Sequence, residues 1–138
     1  MEKKCPDISD AEWRVMRAIW RSAQPTASST IIAGLAQETD WAGGTIKTLL
    51  HRLVQKGVLD FQRKGNRYLY RAKFSEAECV DHLNHRMLYS IFDGRPLPMI
   101  ESLVKSARLS GKELETLQDL LQELQNQLPP HQPRDQAV

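Results

Sequence analysis

The residues best equipped for chemistry lie in the middle of the chain, and the chemistry they suit is contact with a polyanion. At about 100° per residue, Thr45, Thr48, His51, Arg52 and Gln55 share one face of a helix, while Ile46, Leu49, Leu50 and Leu53 share the opposite face. The polar stripe carries hydroxyls, an imidazole, a guanidinium and an amide, and no acid. A guanidinium pairs in two bonds with the O6 and N7 of guanine, and threonine suits base edges and the thymine methyl. Lys47 on the same helix, and Lys64 and Arg67 beyond it, suit phosphates, which add affinity without sequence discrimination. The helix start near Gly44 and Thr45 offers backbone N–H groups to a further phosphate.

A second constellation is Cys79, His82 and His85. A thiolate and imidazoles suit soft or borderline metals. On one helix, however, positions 79 and 85 point about 240° apart, so a single helix cannot aim all three at one ion. They read as surface or interface residues, and no metal or other cofactor is expected. Cys5 lies elsewhere in the chain. Two cysteines define no disulfide framework, and nothing points to an oxidising compartment, so both are expected to be reduced. There is no Ser-His-Asp set, nucleotide-binding glycine motif or paired catalytic carboxylate, so an enzyme is not expected.

The charge pattern agrees with a polyanion partner. Over all 138 residues the net charge is only +2. Residues 1–72 nevertheless hold twelve Lys/Arg against seven Asp/Glu, and residues 73–138 hold seven against ten. Within 41–72, seven cations (Lys47, Arg52, Lys56, Arg63, Lys64, Arg67, Arg71) face only Asp60. A local basic excess in a near-neutral protein marks the segment a polyanion meets. No run approaches the roughly 18 apolar residues a membrane span needs, and the charged N-terminus is no secretory signal. The expected address is the cytoplasm.

The elements that must position these residues follow from periodicity and punctuation. Ser9-Asp10-Ala11-Glu12 is a capping box that opens a helix carrying Trp13, Met16, Ile19 and Trp20 to about residue 22. The three tryptophans, Trp41 included, sit among apolar neighbours and read as core. After a break at Gln24-Pro25-Thr26, a second helix over 28–38 turns Ile31, Ile32 and Leu35 inward. Thr39 to Gly44 reads as a turn, because paired glycines rarely sit inside a helix. A third helix over 45–56 stops at Gly57. Two helices joined by a short glycine-containing turn are a helix-turn-helix. Runs 58–63 and 67–71, separated by a tight turn at Lys64-Gly65-Asn66, form a β-hairpin, the wing of a winged helix.

From Ser75 the pattern is helical again. A capping box at Ser75-Glu78 opens a helix with Leu83, Met87, Leu88, Ile91 and Phe92. Gly94-Arg95-Pro96-Leu97-Pro98 predicts a break before a short helix with Met99, Ile100, Leu103 and Val104. In a last helix opened at Ser110, Leu114, Leu117, Leu121, Leu124 and Leu128 alternate spacings of three and four, a coiled-coil seam over two heptads. The expected class is mainly α with a small β-hairpin. Its parts are a winged-helix DNA-binding domain over 1–73, a helical dimerisation domain over 74–128, and a disordered tail over 129–138, rich in proline and polar residues. The dimerisation residues would be Leu83, Met87, Ile91, Met99, Ile100, Leu103, Leu114, Leu117, Leu121 and Leu124, since an apolar seam in a small lobe needs cover.

These residues resemble the penicillinase-repressor family, the BlaI, MecI and CopY type of winged-helix transcriptional repressor. The matching stretches are Ile8 to Glu12, Val15-Met16, Ile19-Trp20, Trp41, Thr45 to Leu53, Lys56-Gly57, Tyr68-Leu69-Tyr70 and Leu109-Ser110-Gly111. They agree in order and spacing across residues 7–125. The resemblance implies a homodimer that binds a palindromic double-stranded DNA operator and represses the genes beside it. It implies that Thr45, Thr48 and Arg52 read bases, with Arg67 a weaker candidate. It also implies relief of repression through a membrane sensor or protease pathway. Three departures bear on this. Ala42 and Gly44 stand where members often carry Ser and Lys. Ser102-Leu103 aligns with the Asn-Phe bond cut in β-lactam-responsive members. No cysteine follows Cys79, so the Cys-x-Cys motif of copper-responsive members is missing.

Two rival readings stand beside the repressor. One is a winged-helix module that docks an acidic protein through its basic hairpin. The other is a metal-responsive repressor using Cys79, His82 and His85.

Overall fold

The structure, a computed structural model, describes residues 4–130. The chain runs α1 (Asp10–Trp20), β1 (Thr26–Ala27), α2 (Ser28–Glu38), α3 (Gly43–Lys56), β2 (Leu59–Lys64), β3 (Arg67–Ala72), α4 (Glu76–Ser90), α5 (Pro96–Ser106) and α6 (Gly111–Asn126). It divides into two compact units, one ending at Asp93 and one beginning at Gly94. The first unit holds the winged helix together with α4.

Local chemistry sets most helix boundaries. Ser9, Ser75 and Ser110 each close a reciprocal capping box with the glutamate three residues on, so α1, α4 and α6 start where the sequence predicts. At the far end of α3, Gly57 takes a left-handed φ of 84°. The Gly57 N–H donates to the Val54 carbonyl and the Val58 N–H to the Leu53 carbonyl, each at 3.0 Å. This paired closure satisfies the last carbonyls and sends the chain directly into β2.

One stripe from each of three helices makes the core. Val15, Met16 and Ile19 of α1, Ile31 and Leu35 of α2, and Ile46, Leu49, Leu50 and Leu53 of α3 meet Val58 and Leu59. Fully burying side chains of this size contributes about 1.5–3 kcal/mol each, so the α3 stripe alone fixes that helix's rotation. Ile32, read as inward from the sequence, is only half-buried and packs at the edge of this core, as do Trp20 and Trp41.

A second, smaller cluster joins Cys5, Phe74 and Cys79 beneath Trp13 and Trp20. The two indoles meet edge to face with centroids 5.4 Å apart, and the Trp20 Nε1–H donates to the Phe74 carbonyl at 3.0 Å. Trp13 and Trp20, each half-buried, are therefore engaged in packing rather than presented for stacking on bases.

The wing is part of a three-stranded antiparallel sheet ordered β1-β3-β2. Thr26 and Ala27 pair with Tyr70 and Leu69, a strand the sequence reading missed because its two residues carry no periodicity. Lys64 pairs with Arg67 across a two-residue turn in which Gly65 has a φ of 63°, a value glycine adopts without strain.

Three other expectations are corrected. Gly43 and Gly44 are not in the turn but in the first turn of α3, where helix propensity matters least because the early N–H groups lack partners within the helix. Pro96 and Pro98 do not precede α5 but begin it, for the same reason. Cys5 and Cys79 are not free thiols. The segment before α1 lies against α4, bringing their Cα atoms to 5.4 Å, and the pair is disulfide-bonded.

In the second unit, α5 and α6 bury no residue fully. Residues 131–138, most of the expected tail, lie outside the described residues.

Candidate nucleic-acid interface

The two faces of α3 separate as the sequence predicts. Ile46, Leu49, Leu50 and Leu53 are buried, and Thr45, Lys47, Thr48, His51, Arg52 and Gln55 are exposed. The burial of one face forces the other outward, since a rotation that hid Arg52 would expose the leucines. At the helix start, Ala42 supplies no side-chain cap and the first turn holds no acid. Negative charge near a helix N-terminus is favoured by the macrodipole, and nothing in that turn opposes it. Within the stripe, the Thr48 hydroxyl donates to the Gly44 carbonyl at 3.0 Å.

The wing continues this polar surface. Every residue from Asp60 to Tyr68 is exposed. Strand alternation puts Lys64, Arg67 and Arg71 on one side of the hairpin and Phe61, Arg63, Tyr68 and Tyr70 on the other. On the aromatic side, Phe61 packs at a tilt against Tyr68 and Tyr70 with centroids 5.6 and 6.2 Å away. Arg63 lies 5.8 Å over the Tyr68 ring, and its Nε–H donates to the Gly65 carbonyl at 3.1 Å. Burial, with Tyr68 beside it, pushes the Tyr70 hydroxyl above its ordinary pKa. Sequence reading treated Arg63 as one cation among seven. Its place opposite Tyr68 in the register, readable from the hairpin once the turn is set, is what braces it.

Lys56 also differs from its expected role. It belongs to the basic excess by count, yet its ammonium bonds the buried Glu12 carboxylate at 2.5 Å and the Asp7 carbonyl at 3.0 Å. Its charge is committed inside the fold. Among the described residues, by contrast, Lys47, Arg52, Lys64 and Arg67 enter no salt bridge. Of the seven cations counted in 41–72, Lys56 alone is tied to a carboxylate among the described residues, and the others stand exposed on α3 and the wing.

Glu12 is 2% exposed. Burial alone would raise its pKa, but the Lys56 hydrogen bond and the bonds from Ser9 outweigh it and hold the carboxyl below its usual range.

The metal-ligating candidates are not brought together. Cys79 is joined to Cys5, His82 contacts the Asp7 carboxylate at 2.8 Å, and His85 stacks on Tyr89 with centroids 5.7 Å apart. Among the described residues no group of three His, Cys, Asp or Glu side chains is placed to hold a metal ion.

The expected dimerisation residues divide into two classes. Leu83, Met87, Ile91, Ile100, Leu103, Leu114, Leu121 and Leu124 are exposed, and Met99 and Leu117 are half-buried. Leu128, the last residue of the expected seam, is exposed too, and Leu97 and Leu120 join the exposed set without having been singled out for it. Among the described residues, no helix is long and apolar enough to cross a membrane.

Comparison with known proteins places this geometry. The family model described as penicillinase repressor matches residues 8–123. The penicillinase repressor of Bacillus licheniformis is 32% identical over 124 residues, covering 90% of this chain and 96% of that protein. The methicillin resistance regulatory protein MecI of Staphylococcus aureus (strain N315) is 29% identical over 121 residues, covering 88% and 98%. The solution structure of the DNA binding domain of the repressor BlaI superposes with a TM-score of 0.50 at 35% identity, covering 56% of this chain and 93% of that one.

Proposed function

Because the chain belongs to the penicillinase repressor family, whose members are transcriptional repressors and not enzymes, we propose that it is a DNA-binding repressor acting as a homodimer on a palindromic operator. The observation that carries this reading is the outward face of α3, polar and acid-free along its length, with open cations on the wing beside it. In this assignment α3 enters the major groove, and Thr45, Thr48 and Arg52 touch base edges. Lys47, His51, Lys64 and Arg67 meet the phosphates that fix register.

The exposed apolar positions of α4, α5 and α6 supply the homodimer contact, with 1–73 as the reading part and 74–128 as the pairing part. A second copy is the partner that covers the α6 seam, because its leucines repeat with coiled-coil spacing and a two-fold axis matches a palindrome. A repressor works in the compartment that holds the DNA, which for this reading is the cytoplasm. Release would come from outside the groove, through a sensor or protease pathway acting on the pairing part.

Selection of the full-length protein against a pool of randomised duplexes tests the proposal. The expected result is an enriched palindrome whose half-sites lie about one helical turn apart, or slightly more. A pool that stays random after repeated rounds would sink it and favour a module that docks protein.

A further inference from the structure

Outside the proposed interface, one arrangement has no part in reading DNA. Cys5, on the segment preceding α1, is bonded to Cys79 in α4, and 74 residues separate them in sequence. The same segment makes three further contacts. The Asp7 carboxylate takes a bond from His82 at 2.8 Å and lies 3.5 Å from Arg86, both on α4. The Asp7 carbonyl accepts from Lys56, the last residue of α3, at 3.0 Å. The segment is thus a strap from α4 to the end of the helix that carries the polar stripe. The His82 bond, with Arg86, holds the Asp7 carboxyl below its ordinary pKa, but exposed ion pairs of this kind hold geometry weakly. The covalent bond is what fixes the strap.

We propose that Cys5 and Cys79 are a reversible redox pair that couples the oxidation state of the cell to DNA binding. The control of DNA binding, and the reducing surroundings that make the bond reversible, rest on the repressor reading; the bond itself does not. Proteins that work where DNA is kept face a reducing pool, and disulfides that form there are typically transient and sensory. Both sulfurs sit in a small apolar cluster, yet each residue borders a surface depression. Cys5 lines a cavity of about 790 Å³ whose walls carry both cations (Lys4, Arg86) and acids (Asp7, Glu78, Asp81), and Cys79 lines a smaller one beside Pro6 and Trp13, so a small oxidant or thiol has a way in to each.

The oxidant is a hydroperoxide. One thiolate attacks the terminal peroxide oxygen and breaks the O–O bond, giving a sulfenic acid and releasing the alcohol. The second thiol attacks that sulfur and expels water, forming the S–S bond. Two thiols are oxidised and one peroxide is reduced to alcohol and water. Two equivalents of a small thiol reverse the reaction by exchange, leaving a small-molecule disulfide.

The test uses the full chain, treated with cumene hydroperoxide or with dithiothreitol. Three readouts follow: N-ethylmaleimide labelling under denaturing conditions with intact mass, Tm, and affinity for the duplex selected above. The reduced chain should take two labels and the oxidised chain none. Closing so long a loop should raise Tm by about 10 °C. The two forms should differ in affinity by about five-fold or more, with the oxidised form tighter because its strap is fixed. Cys5→Ser should remove all three differences, and dithiothreitol should reverse them in the unaltered protein, so the result does not hang on one variant.

Two labels retained after peroxide, or mass at twice the chain from intermolecular bonding, would overturn the pair. Equal affinities with the disulfide formed would overturn its control of binding. A chain that forms the disulfide but binds no duplex in either state would sink the repressor reading, while labelling and Tm would still uphold the redox pair.

Discussion

Replacing Lys56 with methionine removes one charge from an ion pair whose other half cannot reach water. Glu12 is 2% exposed. Without the lysine its carboxylate keeps the Ser9 backbone N–H at 2.9 Å. Methionine retains an apolar stem, so little packing is lost. What disappears is a hydrogen bond between charged groups, about 1.5–3 kcal/mol. Stranding a carboxylate in a fully buried pair brings such losses to about 3–5 kcal/mol. The Lys56 side chain is 36% exposed, so water already screens part of the attraction. At neutral pH we therefore expect Lys56→Met to cost about 2–3 kcal/mol.

The pH dependence gives this prediction its signature. Against the effect of burial, Lys56 and Ser9 hold the folded-state pKa of Glu12 below the ordinary value. A carboxyl with a depressed folded-state pKa contributes stability that is fully present above its unfolded value, near about 4.3, and is lost as pH falls through the folded one. With the lysine gone, burial raises the Glu12 pKa and protonation relieves the stranded charge. The gap between variant and parent should therefore shrink on acidification. Urea denaturation followed by tryptophan fluorescence, at one protein concentration and at pH 7 and about pH 4, measures it. Equal midpoints at pH 7, or a gap unchanged at the lower pH, would refute the assignment of Lys56 to the fold.

Other substitutions probe the remaining parts. Arg52→Ala should weaken binding to the selected duplex by about 1–3 kcal/mol and relax preference at one base position, measured by fluorescence anisotropy across single-base variants. Lys64→Ala should weaken all duplexes alike and flatten the dependence of affinity on salt. Leu50→Ala removes a side chain that is 0% exposed and should cost about 2–5 kcal/mol in chemical denaturation. Leu121→Asp lies on an exposed helix face, so the chain should stay folded by circular dichroism but sediment as a monomer.

Much of this architecture is legible because it is local. Each of the three capping boxes lies within four residues, and the period of Ile46, Leu49, Leu50 and Leu53 alone sets which way Arg52 points. Errors arose where position within an element outweighed residue type. Gly43 and Gly44 look like a turn and Pro96 and Pro98 like a break, yet all four stand in a first helical turn, where no N–H bond within the helix is lost. Contacts made across the chain were not legible. β1 exists through its pairing with Tyr70 and Leu69, Lys56 finds Glu12 across 44 residues, and Cys5 finds Cys79 across 74. No spacing rule encodes such meetings. Counting Lys56 toward the basic surface was the consequence.

The Thr48 side chain has a single hydrogen to give, and α3 already takes it. With that proton directed at the Gly44 carbonyl, the exposed side chain has only lone pairs and a methyl group left to offer a partner. In a major groove such a group accepts but does not donate, so it matches the exocyclic amines of adenine and cytosine or the methyl of thymine. It has nothing to offer the two acceptors of guanine. If Thr48 meets a base edge as proposed, one internal hydrogen bond narrows, from within the helix, the alphabet available at that position.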